Sequence, residues 1–274
     1  MKPAQLSFPE LTRARSQVIS ALQTLCAKNE SRAAQILDLG PKQHDDIRRN
    51  ALLAKAPAGP AIEVYTGVLY DALDVTTLTT TQRRRLDKNV AIASGLFGLL
   101  RPSDKIPAYR LRGDVTLPTI GSLAQYWRTF VSAALESVPG VILDLRSSAY
   151  VALGPIPPAA AQRAVVGRVL LERGGKRSIV SHHNKATKGR LVRALMQSGA
   201  APKNINSLIT AISEVGFHCE LTEATKLGLP ATLDIIVRQA SLSPTSPLAP
   251  APCVSAPPPR SQTSRNCHRE TTPK

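Results

Sequence analysis

Two stretches of this chain carry residue types that hold phosphate oxygens. In the first, Ser94-Gly-Leu-Phe-Gly-Leu-Leu-Arg-Pro102 sets Gly95 and Gly98 three apart, and Arg101, Lys105, Arg110 and Arg112 follow, interrupted by Pro102 and Pro107. Glycines bare their backbone N–H groups, prolines stiffen the path, and guanidinium forks complete a phosphate cradle. The alternative for the same spacing is a greasy loop between packed helices. In the second, Asn184-Lys-Ala-Thr-Lys-Gly-Arg190 reads as the start of a helix through Met196, capped by Asn184, with Lys185 and Lys188 on one face at i, i+3. Cations at a helix N-terminus oppose the macrodipole by about 0.3–1 kcal/mol each. Lys185, Lys188 and Arg190 therefore make sense around a bound anion; otherwise they snorkel into water.

Catalytic signatures are missing from the sequence: there is no G-x-S-x-G, no P-loop and no H-E-x-x-H. His182 and His183 are adjacent, so on a strand they point to opposite faces and make a poor metal pair. Asp144 beside Arg146 and Asp104 beside Lys105 read as structural or surface charges. The four cysteines (Cys26, Cys219, Cys253, Cys267) show neither a C-x-x-C pair nor zinc-site spacing, which points to reduced thiols. No cofactor and no metal are expected. An enzyme acting on a phosphorylated small molecule or a nucleic-acid end remains the alternative use of the same cations.

The elements that must position these residues follow from periodicity. Ser7-Phe-Pro-Glu10 reads as a capping box ahead of a helix with Leu11, Ala14, Val18, Leu22 and Leu25 on one face. Further helices are expected over 31–39, from Pro41 to about Leu53 with Lys42, Arg48 and Arg49 solvated, near 68–73 after an extended entry from Ile62, and from Thr79 to Ser94-Gly95. Ser122–Leu135 and Ser207–Val215 complete the helical set. Strands are expected at Val115–Leu117, Val141–Leu145, Ala164–Leu171 with Arg177–His182 around Gly174-Gly175, and Phe217–Thr222 with Thr232–Val237. Beyond Arg238 the pattern stops. Residues 240–274 hold eight prolines among Ser, Thr and Ala, a composition that buries too little to fold, so a disordered tail is expected beside a domain over 1–239.

The formal net charge is +16; the tail carries +3 (four Lys/Arg against Glu270), which leaves +13 on residues 1–239. A field of that sign favours a polyanionic partner. The N-terminus has no apolar signal core and no apolar run approaches the roughly 18 residues of a membrane span. A soluble cytoplasmic protein without membrane contact is expected.

Several stretches together resemble one family. Tyr65-Thr-Gly67 with Tyr70, the Ser94–Pro102 stretch, Tyr109-Arg-Leu111, Tyr126-Trp127, Leu145-Arg-Ser-Ser-Ala-Tyr150 and Ser181-His-His-Asn-Lys-Ala-Thr-Lys-Gly189 occur in the order and spacing of the peroxide stress protein YaaA family, from about residue 7 to 237. The resemblance implies a single mixed α/β (α+β) domain with a central mixed sheet flanked by helices, a helix-hairpin-helix-like element at Ile92–Asp104 and a positively charged cleft. It also implies DNA binding and a part in surviving peroxide, limiting free iron and sparing DNA. The phosphate-binding set is then expected to be Gly95, Gly98, Arg101, Lys105, Tyr109, Arg110, Lys185, Lys188 and Arg190, with the form of DNA left open. Family members carry an apolar strand and a basic loop ahead of the first helix, whereas Met1 falls just ahead of it here, so a sheet short of one member is expected.

Overall fold

The computed structural model describes residues 2–179 and 181–238, residues 181–183 through their backbone alone. The tail over 240–274, expected to be disordered, lies outside the described residues. Three helices open the chain: α1 (Thr12–Lys28), α2 (Glu30–Leu37) and α3 (His44–Ala51). Ala14, Val18, Leu22 and Leu25 of α1 are buried along one stripe, as their spacing requires. The capping box expected at Ser7 does not form. Ser7 turns both its amide and its hydroxyl to Asp104 Oδ1 at 2.9 Å, and Phe8 takes a left-handed φ of 59° before the 3-10 turn Pro9–Leu11. A buried carboxylate brought in by the fold has outcompeted a local cap.

β1 (Ala58–Pro60) leads into the single turn α4 (Ala61–Val64) and then α5 (Val68–Leu73), so the segment expected to be extended from Ile62 begins as helix. α6 (Thr80–Asn89) opens on a reciprocal Thr79–Gln82 capping box and ends at Val90, short of the Ser94-Gly95 stop. β2 (Ile92–Ser94) and β3 (Gly98–Leu100) then pair antiparallel, Ser94 opposite Gly98. Ile92–Asp104 is therefore a β-hairpin and a turn, and the helix-hairpin-helix-like element expected there is corrected. The physical reason is burial: Leu96, Phe97, Leu99 and Leu100 are all enclosed. Strand pairing satisfies the hairpin's backbone groups inside that core without helical turns. β4 (Lys105–Pro107) pairs with β1, and β5 (Thr116–Leu117) with β6 (Gly121–Ser122), before the helix α7 (Leu123–Ser137).

The main sheet is built from β7 (Ile142–Asp144), β8 (Ala164–Arg173), β9 (Lys176–Ser178), β10 (His218–Thr222) and β11 (Ala231–Arg238), in the order β10-β11-β8-β7 with β9 also on β8. β8 is parallel to both β7 and β11, while β10 and β9 run antiparallel to their neighbours. This is the mixed sheet flanked by helices that was expected. β-branched and aliphatic runs such as Val165-Val166 and Ile235-Ile236-Val237 suit strands with covered faces. Arg168 lies opposite Asp234 across the parallel pair, bound to it at 2.6 and 2.7 Å. Short helices α8 (Ser148–Val151) and α9 (Pro158–Ala161) link β7 to β8; α10 (Ser181–Ser198) and α11 (Ile205–Glu214) follow β9. Among the described residues no helix is long and apolar enough to cross a membrane.

The hairpin and α7 meet at the centre. Trp127 is fully buried and its indole N–H donates to Gly95 O at 2.9 Å. Arg15 is also fully buried, its guanidinium donating to Phe97 O (2.9 Å), Leu99 O (2.6 Å) and Ser7 O (2.6 Å). One charged fork thus ties α1, the hairpin and the N-terminal turn together.

Candidate functional site

The motif residues converge where α4, α5, the hairpin and the segment after β4 meet. α4 delivers Tyr65, and Gly67, with φ 106°, turns the chain so that α5 brings Tyr70 back onto it. The rings of Tyr65 and Tyr70 stack with centroids 5.6 Å apart. Tyr109 meets Tyr65 edge-on at 6.1 Å and Phe97 at 5.4 Å. Their hydroxyls form a chain: Tyr65 to Tyr109 at 2.7 Å, Tyr109 to Ser94 Oγ at 2.7 Å, and Ser94 Oγ accepting from Phe97 N at 3.0 Å. Burial pushes the phenols of Tyr65, Tyr70 and Tyr109 above the ordinary tyrosine value, so all three stay neutral donors at physiological pH.

Arg110 stands beside this cluster. Asn50, fully buried in α3, donates to Arg110 O at 2.7 Å and accepts from Arg110 N at 2.9 Å. The Tyr109-Arg110 backbone is thereby fixed while the Arg110 side chain remains exposed. A cavity of about 230 Å³ opens here, lined among others by Asp46 and Arg49 of α3, Tyr65, Thr66, Tyr109 and Arg110. Asp46 and Arg49 are paired with each other.

The second motif lands differently from its sequence reading. α10 begins at Ser181, so Asn184 is inside the helix and Lys185, Lys188 and Arg190 lie past the first turn, where the helix dipole has faded. Lys188 is buried and donates from Nζ to Leu145 O at 2.8 Å. Desolvation lowers its pKa, opposed by the nearby charge of Asp144. That carboxylate is gripped at two points by Arg146 at 2.8 and 2.7 Å, and Arg146 also reaches Gly154 O at 2.9 Å, so the pair is structural. Lys185 and Arg190 are exposed. A Cβ on Gly189 would stand 2.2 Å from Leu69 O, and Arg193 donates to Leu73 O at 2.8 Å. Four residues along α10 thus match four along α5.

The placements divide the expected set. Tyr109 and Arg110 come together with Tyr65 around the cavity, while Lys185 is exposed on α10. Gly95 and Gly98 are corrected: both are buried, and a Cβ on them would meet Leu111 O at 3.0 Å and the Trp127 ring at 2.9 Å, so their smallness serves packing. Lys188 is corrected likewise, because its ammonium is spent on Leu145 O. Arg101 donates to Val90 O at 3.0 Å and lies over the Phe8 ring, at a separate groove with Ser7 and Glu10. Lys105 is exposed on β4. Sequence reasoning missed Asn50 and Asp46, took Arg49 for a solvated charge, and quoted Thr66 only as part of the Tyr65-Thr-Gly67 stretch. For Asn50 a signal existed: it falls at i+3 from the buried Ile47, on the apolar side of its helix.

A family model described as peroxide stress protein YaaA matches residues 1–221. The chain belongs to the peroxide stress protein YaaA family. Among its relatives, a UPF0246 protein of Streptomyces coelicolor is 40% identical over 241 residues, covering 87% of this chain and 92% of that protein. A UPF0246 protein of Corynebacterium efficiens is 38% identical over 236 residues, covering 85% and 90%. One from Corynebacterium glutamicum is 37% identical over 219 residues, covering 78% and 85%. Tyr65, Tyr70, Ser94 and Tyr109, scattered over several elements and loops, form one hydroxyl-lined cluster in this fold.

Proposed function

We propose that this YaaA-family protein binds DNA in the cytoplasm, without strong sequence preference, through a positively charged face carrying Arg110 and Lys185, with Lys105 and Arg190 as further phosphate contacts. The observation that carries the reading is how the cations are used. Arg49, Arg83, Arg112, Arg146, Arg168 and Arg177 are each paired with a carboxylate. Lys105, Arg110, Lys185 and Arg190 are exposed, and among the described residues their side chains make no ion pair. Unpaired surface cations on a domain of net charge +13 suit a phosphate backbone. Binding of this kind releases the counterions condensed on DNA. Ferrous iron held on phosphates would be displaced with them, which links the binding to lower iron-dependent damage under peroxide. The test is a fluorescence titration with short and long oligonucleotides at two salt concentrations. Affinity that grows with length and falls steeply with salt supports the reading; length-independent, salt-insensitive binding overturns it.

A further inference from the structure

The cavity beside Arg110 has the chemistry of a different ligand from a duplex backbone. Its walls combine the aromatic residues Tyr65 and Tyr109, the Thr66 hydroxyl, the Asp46 carboxylate and two guanidiniums, Arg49 and Arg110. At about 230 Å³ it takes one base, with the attached sugar and phosphate at its rim beside Arg110. Its rim is stiff: Asn50 clamps the Arg110 backbone at both N and O, and the Tyr65–Tyr109–Ser94 hydroxyl chain fixes the aromatic wall.

We infer that this cavity binds one nucleotide unit, a nucleoside carrying a phosphate. The base lies against the wall lined by Tyr65, Thr66 and Tyr109. The phosphate takes the Arg110 fork, which has no carboxylate partner among the described residues. Asp46, held in place by Arg49, repels phosphate, so that side faces the donors of the ligand, a sugar hydroxyl or an exocyclic amine. The same chemistry comes from two sources: a free nucleoside monophosphate, or a nucleotide unstacked from single-stranded DNA. The second source rests on the DNA-binding reading above; the first does not.

Ala108 is exposed and also lines the cavity, which provides a variant that fills it while leaving every charge in place. Calorimetric titrations of the full chain with dAMP, adenosine and inorganic phosphate are expected to rank dAMP at least tenfold tighter than either part. Ala108→Trp and Arg110→Ala should each weaken dAMP at least tenfold, and Ala108→Trp should leave duplex affinity unchanged. Loss of single-strand affinity in Ala108→Trp assigns the unstacked strand as a source; unchanged single-strand affinity with lost dAMP binding assigns the free nucleotide. Should Ala108→Trp lower the melting temperature, Ala108→Val narrows the same cavity with less intrusion. Duplex binding with dAMP no tighter than phosphate, and no effect of filling the cavity, overturns this inference and leaves the DNA reading intact. dAMP binding without duplex binding does the reverse.

Discussion

Replacing Gly98 by alanine separates a packing glycine from a phosphate-binding one. Gly98 has a φ of +73°, and a Cβ there would stand 2.9 Å and 3.1 Å from two Trp127 ring atoms and 3.3 Å from Leu11 Cδ1. The left-handed conformation costs a non-glycine residue about 1–2 kcal/mol. Forcing an extra methyl against a buried indole adds about 1–3 kcal/mol. Gly98→Ala should therefore destabilise the domain by about 2–5 kcal/mol. Two controls resolve the contributions. Gly121 has a φ of +84° and open space around its Cβ, so Gly121→Ala isolates the conformational cost of about 1–2 kcal/mol. Gly40 has neither constraint, so Gly40→Ala should be neutral or stabilise by up to about 1 kcal/mol. Urea denaturation followed by Trp127 fluorescence reads all three. With a slope near 3 kcal/mol per molar urea, the Gly98→Ala midpoint falls by roughly 1 M. A Gly98→Ala protein with an unchanged midpoint and impaired DNA binding would refute the packing assignment.

Arg15→Met removes the donors from three carbonyls, partly offset by the relief of a buried charge, and should cost about 3 kcal/mol in a thermal melt. Asn50→Ala leaves the Arg110 N–H and C=O unmatched; a loss of about 2 kcal/mol is expected, with weakened oligonucleotide binding as Arg110 loses its fixed backbone. Alkaline pH should destabilise the fold. Tyr65, Tyr70 and Tyr109 hold their protons more tightly when folded, so their contribution is complete below about pH 10, the unfolded value, and is lost as pH rises toward the folded values. Cys26, pushed up to about 11 by burial, adds a loss of the same sign from about pH 8.5 upward. Arg15, lowered to about 10, works the other way. Tyr70→Phe should then shift the alkaline unfolding midpoint upward; no shift would show that this phenol does not contribute.

What could be read from the sequence was local. The Gly174-Gly175 hairpin and the pairing of 218–222 with 231–238 were legible because β-branched runs and turn residues encode them directly. Gly95 and Gly98 were legible as a turn, but their burial comes from Arg15 and Trp127, residues remote in the chain. Ser7 and Glu10 look like a capping box until Asp104, 97 residues away, takes the Ser7 donors. The start of α10 was misplaced because Ser181-His-His has no apolar period, and that shift turned Lys188 from a surface clamp into a buried donor. Of the residues around the cavity, Tyr109 and Arg110 were among those expected, whereas the opposing wall from α3 was not, since nothing in 44–51 announces that it faces residue 110.

Exposed Arg110 and Lys185 are proposed to neutralise DNA phosphates while Lys188 serves the fold. This assignment is tested by the salt dependence of binding to a labelled duplex, measured for Arg110→Ala/Lys185→Ala and for Lys188→Ala. Each lost phosphate contact lowers the slope of log K against log salt by about 0.9, so the double variant should lose about 1.8, with Lys188→Ala keeping the wild-type slope despite a lower melting temperature. A double variant with an unchanged slope, together with a reduced slope for Lys188→Ala, would contradict the account.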